Sequence, residues 1–339
     1  MAQAAFITGL AGQTLTADER WFLGTAKPCG LILFARNIDA PEQVRQLIAD
    51  ARDAIGAPAL VLIDQEGGRV QRLRPPHWRT LPSGAMYAAR YALDKVSAVH
   101  EARLIARLIA HDLRALGITG NCTPVLDVLA SDAHANIGNR SLGSEPQSVI
   151  ALGRAIADGH LAGGVLPVIK HIPGHGRATL DTHLALPTVT TTEAELMATD
   201  FAPFKALAHL PAAMSAHVVF SALDPSGPSS TSKRVTERIV RGHMGFHGLL
   251  MSDDLSMQAL SGTLGARAAA VIAAGTDVAL HCNGQMAEMA QVAASVPPLE
   301  GLAALRFDRA IATTLKQTPF NMADAEACLK RVLGVAATS

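Results

Sequence analysis

"VLPVIKHIPGHGRATLDTH", residues 165–183, begins as an unbroken apolar strand and turns at once into a loop with three histidines, a lysine, an aspartate and two glycines. Continuous apolar character, in place of alternation, suits a parallel strand covered on both faces. Titratable groups crowded directly behind the C-terminal end of such a strand are what a β/α barrel displays, because its chemistry is collected at that rim.

Working outward, seven more short apolar runs share this character: "AFITG", "GLILFA", "ALVLID", "ITGNC", "AAMSAHVVF", "GLLMSD" and "DVALHC". Helical patterns separate them. "APEQVRQLIADARDAIG" keeps apolar residues at helical spacing and stops at Gly56, and "VHEARLIARLIAHDLRALG" stops at Gly117. "SEPQSVIALGRAIADGHLAGG" is expected to start with Ser144 as N-cap and Pro146 in its first turn. "TTEAELMATDFAPFKALAHL" and "LGARAAAVIAAG" continue the rhythm. Eight strands with crossover helices predict a (β/α)8 TIM barrel. A doubly wound open sheet is the alternative, but "ITGLAGQT" after the first strand only loosely imitates its phosphate turn. No Pro/Gly/Ser linker divides the chain, so residues 1–339 read as one domain, with "FDRAIATTLKQTP" and "ADAEACLKRVLG" as helices packed on its outside.

Acidic and basic side chains balance at 29 each. That gives no electrostatic reason to expect nucleic acid or an anionic membrane as partner. No apolar run approaches the roughly 20 residues of a spanning helix, and no basic residue precedes the apolar start as a secretory signal requires. Cys29, Cys122, Cys282 and Cys328 are scattered and read as reduced thiols, which makes the cytoplasm the expected compartment.

Polar residues gather behind the strand ends: Asp64, Arg69 and Arg72; Asp127 and Arg140; Lys170 and His171; His217; Asp253 and Asp254; His281 and Asn283. Each has a plainer reading. Asp64 or Asp127 could cap a loop, Arg69 and Arg72 could be a solvated edge, and His217 could be a hydrogen-bonded core histidine. Asp253 and Asp254 could cap a helix over "LSMQALSG". Lys170 is harder to dismiss, since a buried ammonium needs a partner. Ile172-Pro173 is a candidate cis peptide in the turn that redirects the chain.

"KHIPGHG" followed by "DTH", together with "MSDDLSM", resembles glycoside hydrolase family 3. "IDQEGGRVQRL", "CTPVLDV", "NIGNRSLG" and "SAHVVF" add to the likeness, which runs from "LILFARNI" to "DVALHCNG". The chain is most similar to single-domain bacterial β-N-acetylhexosaminidases of cell-wall recycling. The resemblance implies Asp253 as nucleophile and His183 as general acid/base with Asp181 as its partner. It implies Asp64, Arg72, Arg140, Lys170 and His171 as ligands of a terminal N-acetylglucosamine, with His175 shaping the loop. It further implies a muropeptide substrate and no metal or organic cofactor. The family's usual Phe is Ile172 here, an apolar exchange.

Glycoside cleavage with retention needs a carboxylate nucleophile and a proton donor beside the leaving oxygen. A histidine can donate and then accept a proton near neutral pH, and an aspartate on its other ring nitrogen fixes the tautomer. Four rivals are weighed. A zinc hydrolase would use His171, His175, His183, Asp181 and His217, but neither HExxH nor a first-strand HxH pair is present. A Schiff-base aldolase would use Lys170. A β-N-acetylglucosaminide phosphorylase would share the nucleophile. A non-catalytic muropeptide-binding protein would be expected to lack one of Asp253, His183 or Asp181.

Overall fold

In a computed structural model, which describes residues 2–130, 137–178, 180 and 185–335, eight parallel strands close into a barrel. They are β1 (Ala4–Thr8), β2 (Pro28–Leu33), β3 (Leu60–Ile63), β4 (Gly120–Asn121), β5 (Leu166–Ile172), β6 (Ala212–Ser215), β7 (Leu249–Asp254) and β8 (Val278–His281). Each pairs with its neighbours in the chain, and β8 closes on β1 through Phe6↔Ala279, Ile7↔Leu280 and Thr8↔His281. All eight expected strands are present, and the architecture is a TIM barrel.

Alternation along each strand sorts side chains to two sides. Leu60, Leu62, Leu166, Val168, Leu249, Met251, Val278 and Leu280 meet in one cluster that fills the barrel. Val61, Ile63, Ile169, Leu250 and Ala279 belong to a second cluster shared with the surrounding helices. Both faces being apolar explains the unbroken apolar runs in the sequence.

Helices Pro41–Ile55 and Lys95–Ala115 lie where periodicity places them, the former ending on Gly56 in the left-handed conformation. Helix Pro146–Ala162 has Glu145, not Ser144, as its N-cap, and Pro146 begins the helix. "AAMSAHVVF" divides: β6 stops at Ser215, and Val219–Phe220 leaves the barrel to pair with Thr188–Val189. No helix starts at Asp253-Asp254. β7 runs through Asp254, and the next helix, Leu264–Ala273, is capped by Thr263. The C-terminal helix Met322–Val335 packs against Lys95–Ala115 and buries Cys328, Leu329 and Val332. All four cysteines are free thiols. Among the described residues, no helix is long and apolar enough to cross a membrane.

Candidate active site

The inward-facing rows that fill the barrel continue past its C-terminal rim. Leu60 and Leu62 lead to Asp64, Leu166 and Val168 to Lys170, Leu249 and Met251 to Asp253, and Val278 and Leu280 to Cys282. These four residues line one cavity of about 170 Å³ together with Phe34, Arg72, Arg140, His171, His175, Met214, Asp254 and Met257. The site is therefore the barrel's core row with polar side chains substituted at the open end.

Strict alternation would send neighbouring residues to opposite faces, yet Lys170 and His171 share the cavity, as do Asp253 and Asp254. Pairing of β5 with β6 shifts register between Lys170 and Ile172, and pairing of β7 with β8 shifts between Met251 and Asp254. Such irregularities re-aim side chains, and here they bring consecutive residues to one space. The Ile172-Pro173 bond is cis, as is Lys170-His171.

One wall is a chain of alternating charges. Arg72 Nη2 donates to Asp64 Oδ2 at 3.0 Å, and Lys170 Nζ donates to Asp64 Oδ1 at 2.8 Å. The same ammonium lies 2.6 Å from Glu66 Oε1, and Arg140 grips Glu66 through Nε at 2.9 Å and Nη2 at 2.8 Å. Burial alone would raise both carboxyls, but Lys170 and Arg72 hold Asp64 well below the usual carboxylate range. Arg140 and Lys170 bring Glu66 down to about 2. Conversely, burial would lower Lys170, but Asp64 and Glu66 raise it, so it stays a cation. Among the described residues, three cations face two carboxylates in a wall rich in donors, suited to an array of hydroxyl oxygens.

A second group is built on Asp127, wholly buried beneath the cavity. Its Oδ2 lies 2.6 Å from His171 Nδ1, while Oδ1 accepts the backbone N–H groups of His171 at 3.1 Å and His175 at 2.7 Å. Burial opposes its ionisation, but His171 outweighs it and keeps the carboxyl below its ordinary range. The bond at Nδ1 leaves His171 Nε2 for the cavity. Burial, and then the neighbouring His171, push His175 down to about 4, so its ring is neutral near pH 7.

Asp253 completes the set. Its Oδ1 accepts the Asp254 N–H at 2.8 Å. Burial would raise its pKa, but His171, His217 and that N–H lower it, so the carboxylate is ionised at neutral pH. An ionised, partly desolvated carboxylate with few hydrogen bonds among the described residues is equipped for nucleophilic attack. Asp254 is differently employed: Oδ1 accepts from Ser256 N and Cys282 N, both at 3.1 Å, and Oδ2 from the Ser256 hydroxyl.

The structure thus brings Asp64, Arg72, Arg140, Lys170, His171 and Asp253 together around one cavity. His183 and Asp181 lie outside the described residues. His217 is a core histidine with Nδ1 2.7 Å from Ser230 Oγ and Nε2 3.2 Å from the Asp254 carbonyl. Arg69 stands outside the cavity with Nε donating to Asn139. His281 is buried, and Asn283 donates to Glu288. Sequence reasoning passed over Glu66, although it continues the row Leu60, Leu62, Asp64 by one more step. It also passed over Phe34, which looks apolar and inert; Cys282, expected to be simply buried, is buried and lines the cavity. Among the described residues, no three His, Cys, Asp or Glu side chains converge as ligands for a metal ion.

Known proteins resemble this chain in sequence and in fold. The family model for the glycosyl hydrolase family 3 N-terminal domain matches residues 8–316. A "Beta-hexosaminidase" of Alkalilimnicola ehrlichii is 39% identical over 84% of this chain and 82% of its own length. Among solved structures, NagZ from Neisseria gonorrhoeae, in complex with N-trifluoroacetyl-D-glucosamine, superposes with a TM-score of 0.87 at 30% identity, covering 99% of each chain. A family 3 β-N-acetylglucosaminidase from Paenibacillus sp. str. FPU-7 gives a TM-score of 0.86 at 28% identity, covering 97% of this chain and 66% of that longer one.

Proposed function

The chain belongs to glycosyl hydrolase family 3, and from that premise we propose that it removes terminal β-linked N-acetylglucosamine with net retention. Asp253 is the nucleophile. The observation that carries this reading is an ionised Asp253 at the end of β7 sharing a cavity with the Asp64–Lys170–Glu66–Arg140 wall. Asp64, Arg72, Arg140, Lys170 and His171 hold the hydroxyls of the terminal sugar, and no metal or organic cofactor takes part. The carboxylate of Asp253 bonds to the anomeric carbon as the glycosidic oxygen departs with a proton. Water then replaces Asp253 and gives up a proton, which restores the donor.

His183, positioned by Asp181, carries that proton in both directions. A second reading assigns the task to His171. It rests on the 2.6 Å His171–Asp127 contact beside the cavity, a His-Asp pair of the required kind. Leaving groups separate the two: the true acid, when replaced by alanine, impairs glycosides with poor leaving groups more than activated aryl glycosides. The physiological substrate we propose is a cytoplasmic peptidoglycan fragment, N-acetylglucosamine joined to anhydro-N-acetylmuramic acid with or without peptide. Residues 1–339 act as one catalytic unit.

The decisive experiment traps the enzyme with a fluorinated N-acetylglucosaminide and maps the labelled residue. A label on Asp253 is expected. A label elsewhere, or a product of inverted configuration, would overturn the assignment. Product formation in water compared with phosphate buffer separates hydrolysis from phosphorolysis.

A further inference from the structure

Phe34 follows β2 and lines the cavity, yet it has no part in the chemistry above. Two guanidinium groups lie over its ring: Arg72, with its central carbon 5.0 Å from the ring centroid, and Arg36, at 5.1 Å. The two cations are held very differently.

Arg36 is fixed. Its Nε donates to the Leu10 carbonyl at 2.8 Å and its Nη2 to the Cys282 carbonyl, which ties together the chain ends beyond β1, β2 and β8. Gly9 permits this, since a Cβ there would lie 2.2 Å from the Cys282 carbonyl oxygen and 2.8 Å from Arg36 Nη2. The backbone under the ring is equally fixed. Phe34 N–H donates to Asn37 Oδ1 at 3.0 Å, and the buried Asn37 amide reaches the carbonyls of Leu10 at 3.0 Å and Gly12 at 2.8 Å.

Arg72 is held by less. Its Nη2 donates to Asp64, but among the described residues its Nε is buried without a hydrogen-bond partner. That single bond among the described residues fixes only one corner of the planar guanidinium, and a second contact is needed to set its plane. The ring is that contact, through cation–π attraction.

We infer that Phe34 is a positioning residue for substrate binding, a rigid aromatic rest that aims the Arg72 guanidinium at the sugar while Asp64 holds its other end. The inference rests on the proposed role of Arg72. Ground-state binding is what it serves, so its loss raises KM and spares kcat.

The test is a double-mutant cycle on an aryl N-acetyl-β-glucosaminide, with KM and kcat measured separately. Phe34→Leu keeps apolar bulk and removes the π face. It is expected to raise KM about two- to thirty-fold, the range spanned by exposed to desolvated cation–π pairs, with kcat within about two-fold of wild type. Phe34→Tyr, which keeps the ring, is expected to restore KM. In an Arg72→Ala background, Phe34→Leu is expected to add less than about two-fold. If the full Phe34→Leu effect persists in that background, or falls on kcat, the positioning role is overturned while Arg72 keeps its place. If Arg72→Ala alone leaves kcat/KM unchanged, the sugar-binding reading fails and takes the inference with it. Thermal unfolding checks each variant, and Phe34→Met, apolar and adaptable, replaces Leu should that variant not fold.

Discussion

Replacing Glu66 by glutamine tests the charged wall through its electrostatics alone. Glutamine matches the shape of a protonated glutamic acid, so the variant reports what the ionised carboxylate contributes. Glu66 has 6% of its side chain exposed and faces Lys170 at 2.6 Å and Arg140 at 2.8 Å. Its carboxyl falls from an ordinary 4.5 to about 2 in the folded protein. At about 1.4 kcal/mol per pH unit, that fall makes the ionised form worth about 3 kcal/mol to folding. The folded pKa is depressed, so this stability is complete above the unfolded value near 4.5 and is lost as pH falls toward about 2.

The expected result is a stability gap between wild type and Glu66→Gln of about 3 kcal/mol at pH 7. Between pH 7 and pH 3 the gap should shrink by about 2 kcal/mol, most of it below pH 4.5. Urea titrations at fixed pH values measure it directly. Substrate affinity should fall with stability, because Lys170 and Arg140 lose the anion that holds them apart and in place. A gap that stays constant with pH, or widens in acid, would refute the electrostatic account of the wall.

Asp253→Ala should lower turnover to near background while thermal unfolding stays within a few degrees of wild type; comparable activity would remove its nucleophilic role. His183→Ala should impair poor leaving groups more than activated aryl glycosides, and equal losses on both would count against it as the acid. Gly84→Ala should cost about 1–3 kcal/mol of stability and weaken substrate binding. A Cβ there would sit 2.1 Å from the Arg140 carbonyl oxygen and displace the turn that carries that side chain; unchanged KM would contradict this. His160, buried with Nδ1 2.9 Å from the Ile156 carbonyl and Nε2 3.0 Å from Asn121, is pushed by burial down from 6.5 to about 4. Its unfolded form therefore takes up a proton first, and its contribution is present above pH 6.5 and lost toward about pH 4. His160→Gln should flatten the stability–pH slope in that window, and an unchanged slope would show that another group sets it.

Much of this molecule is legible in its sequence because the barrel repeats one rule eight times. A strand buried on both faces must be apolar throughout, so "LILF", "LVLI", "LPVI", "LLMS" and "VALH" announce themselves. The first polar residue beyond each marks the rim, which is how Asp64, Lys170 and Asp253 could be found. Where the chain breaks the rule, the reading fails. "AAMSAHVVF" passes for one strand because the exit from the barrel after Ser215 leaves no mark in hydrophobicity. The plainer alternative for Asp253-Asp254, a helix cap, falls away because Asp254 accepts the Ser256 N–H in a turn and the next helix is capped by Thr263.

The residues missed share a different cause. Glu66 extends the row of Leu60, Leu62 and Asp64, but its meaning lies in Lys170 and Arg140, 104 and 74 positions away along the chain. Phe34 looks like any apolar strand end, and only the convergence of Arg36 and Arg72 over its ring gives it work to do. Periodicity reports which way a side chain points, but charge pairing between strands is fixed by closure of the barrel, which no local stretch encodes. The parity of the inward rows nevertheless narrows the search. Asp64, Lys170, Asp253, Cys282 and Phe34 all stand an even number of positions from an interior residue of their own strand, namely Leu62, Val168, Met251, Leu280 and Ile32. His171 and Asp254 violate that parity, and both lie at the register shifts of β5 and β7. Supporting side chains are thus found by extending the alternation, whereas the paired neighbours that crowd a nucleophile require the irregularity itself, which only the folded barrel displays.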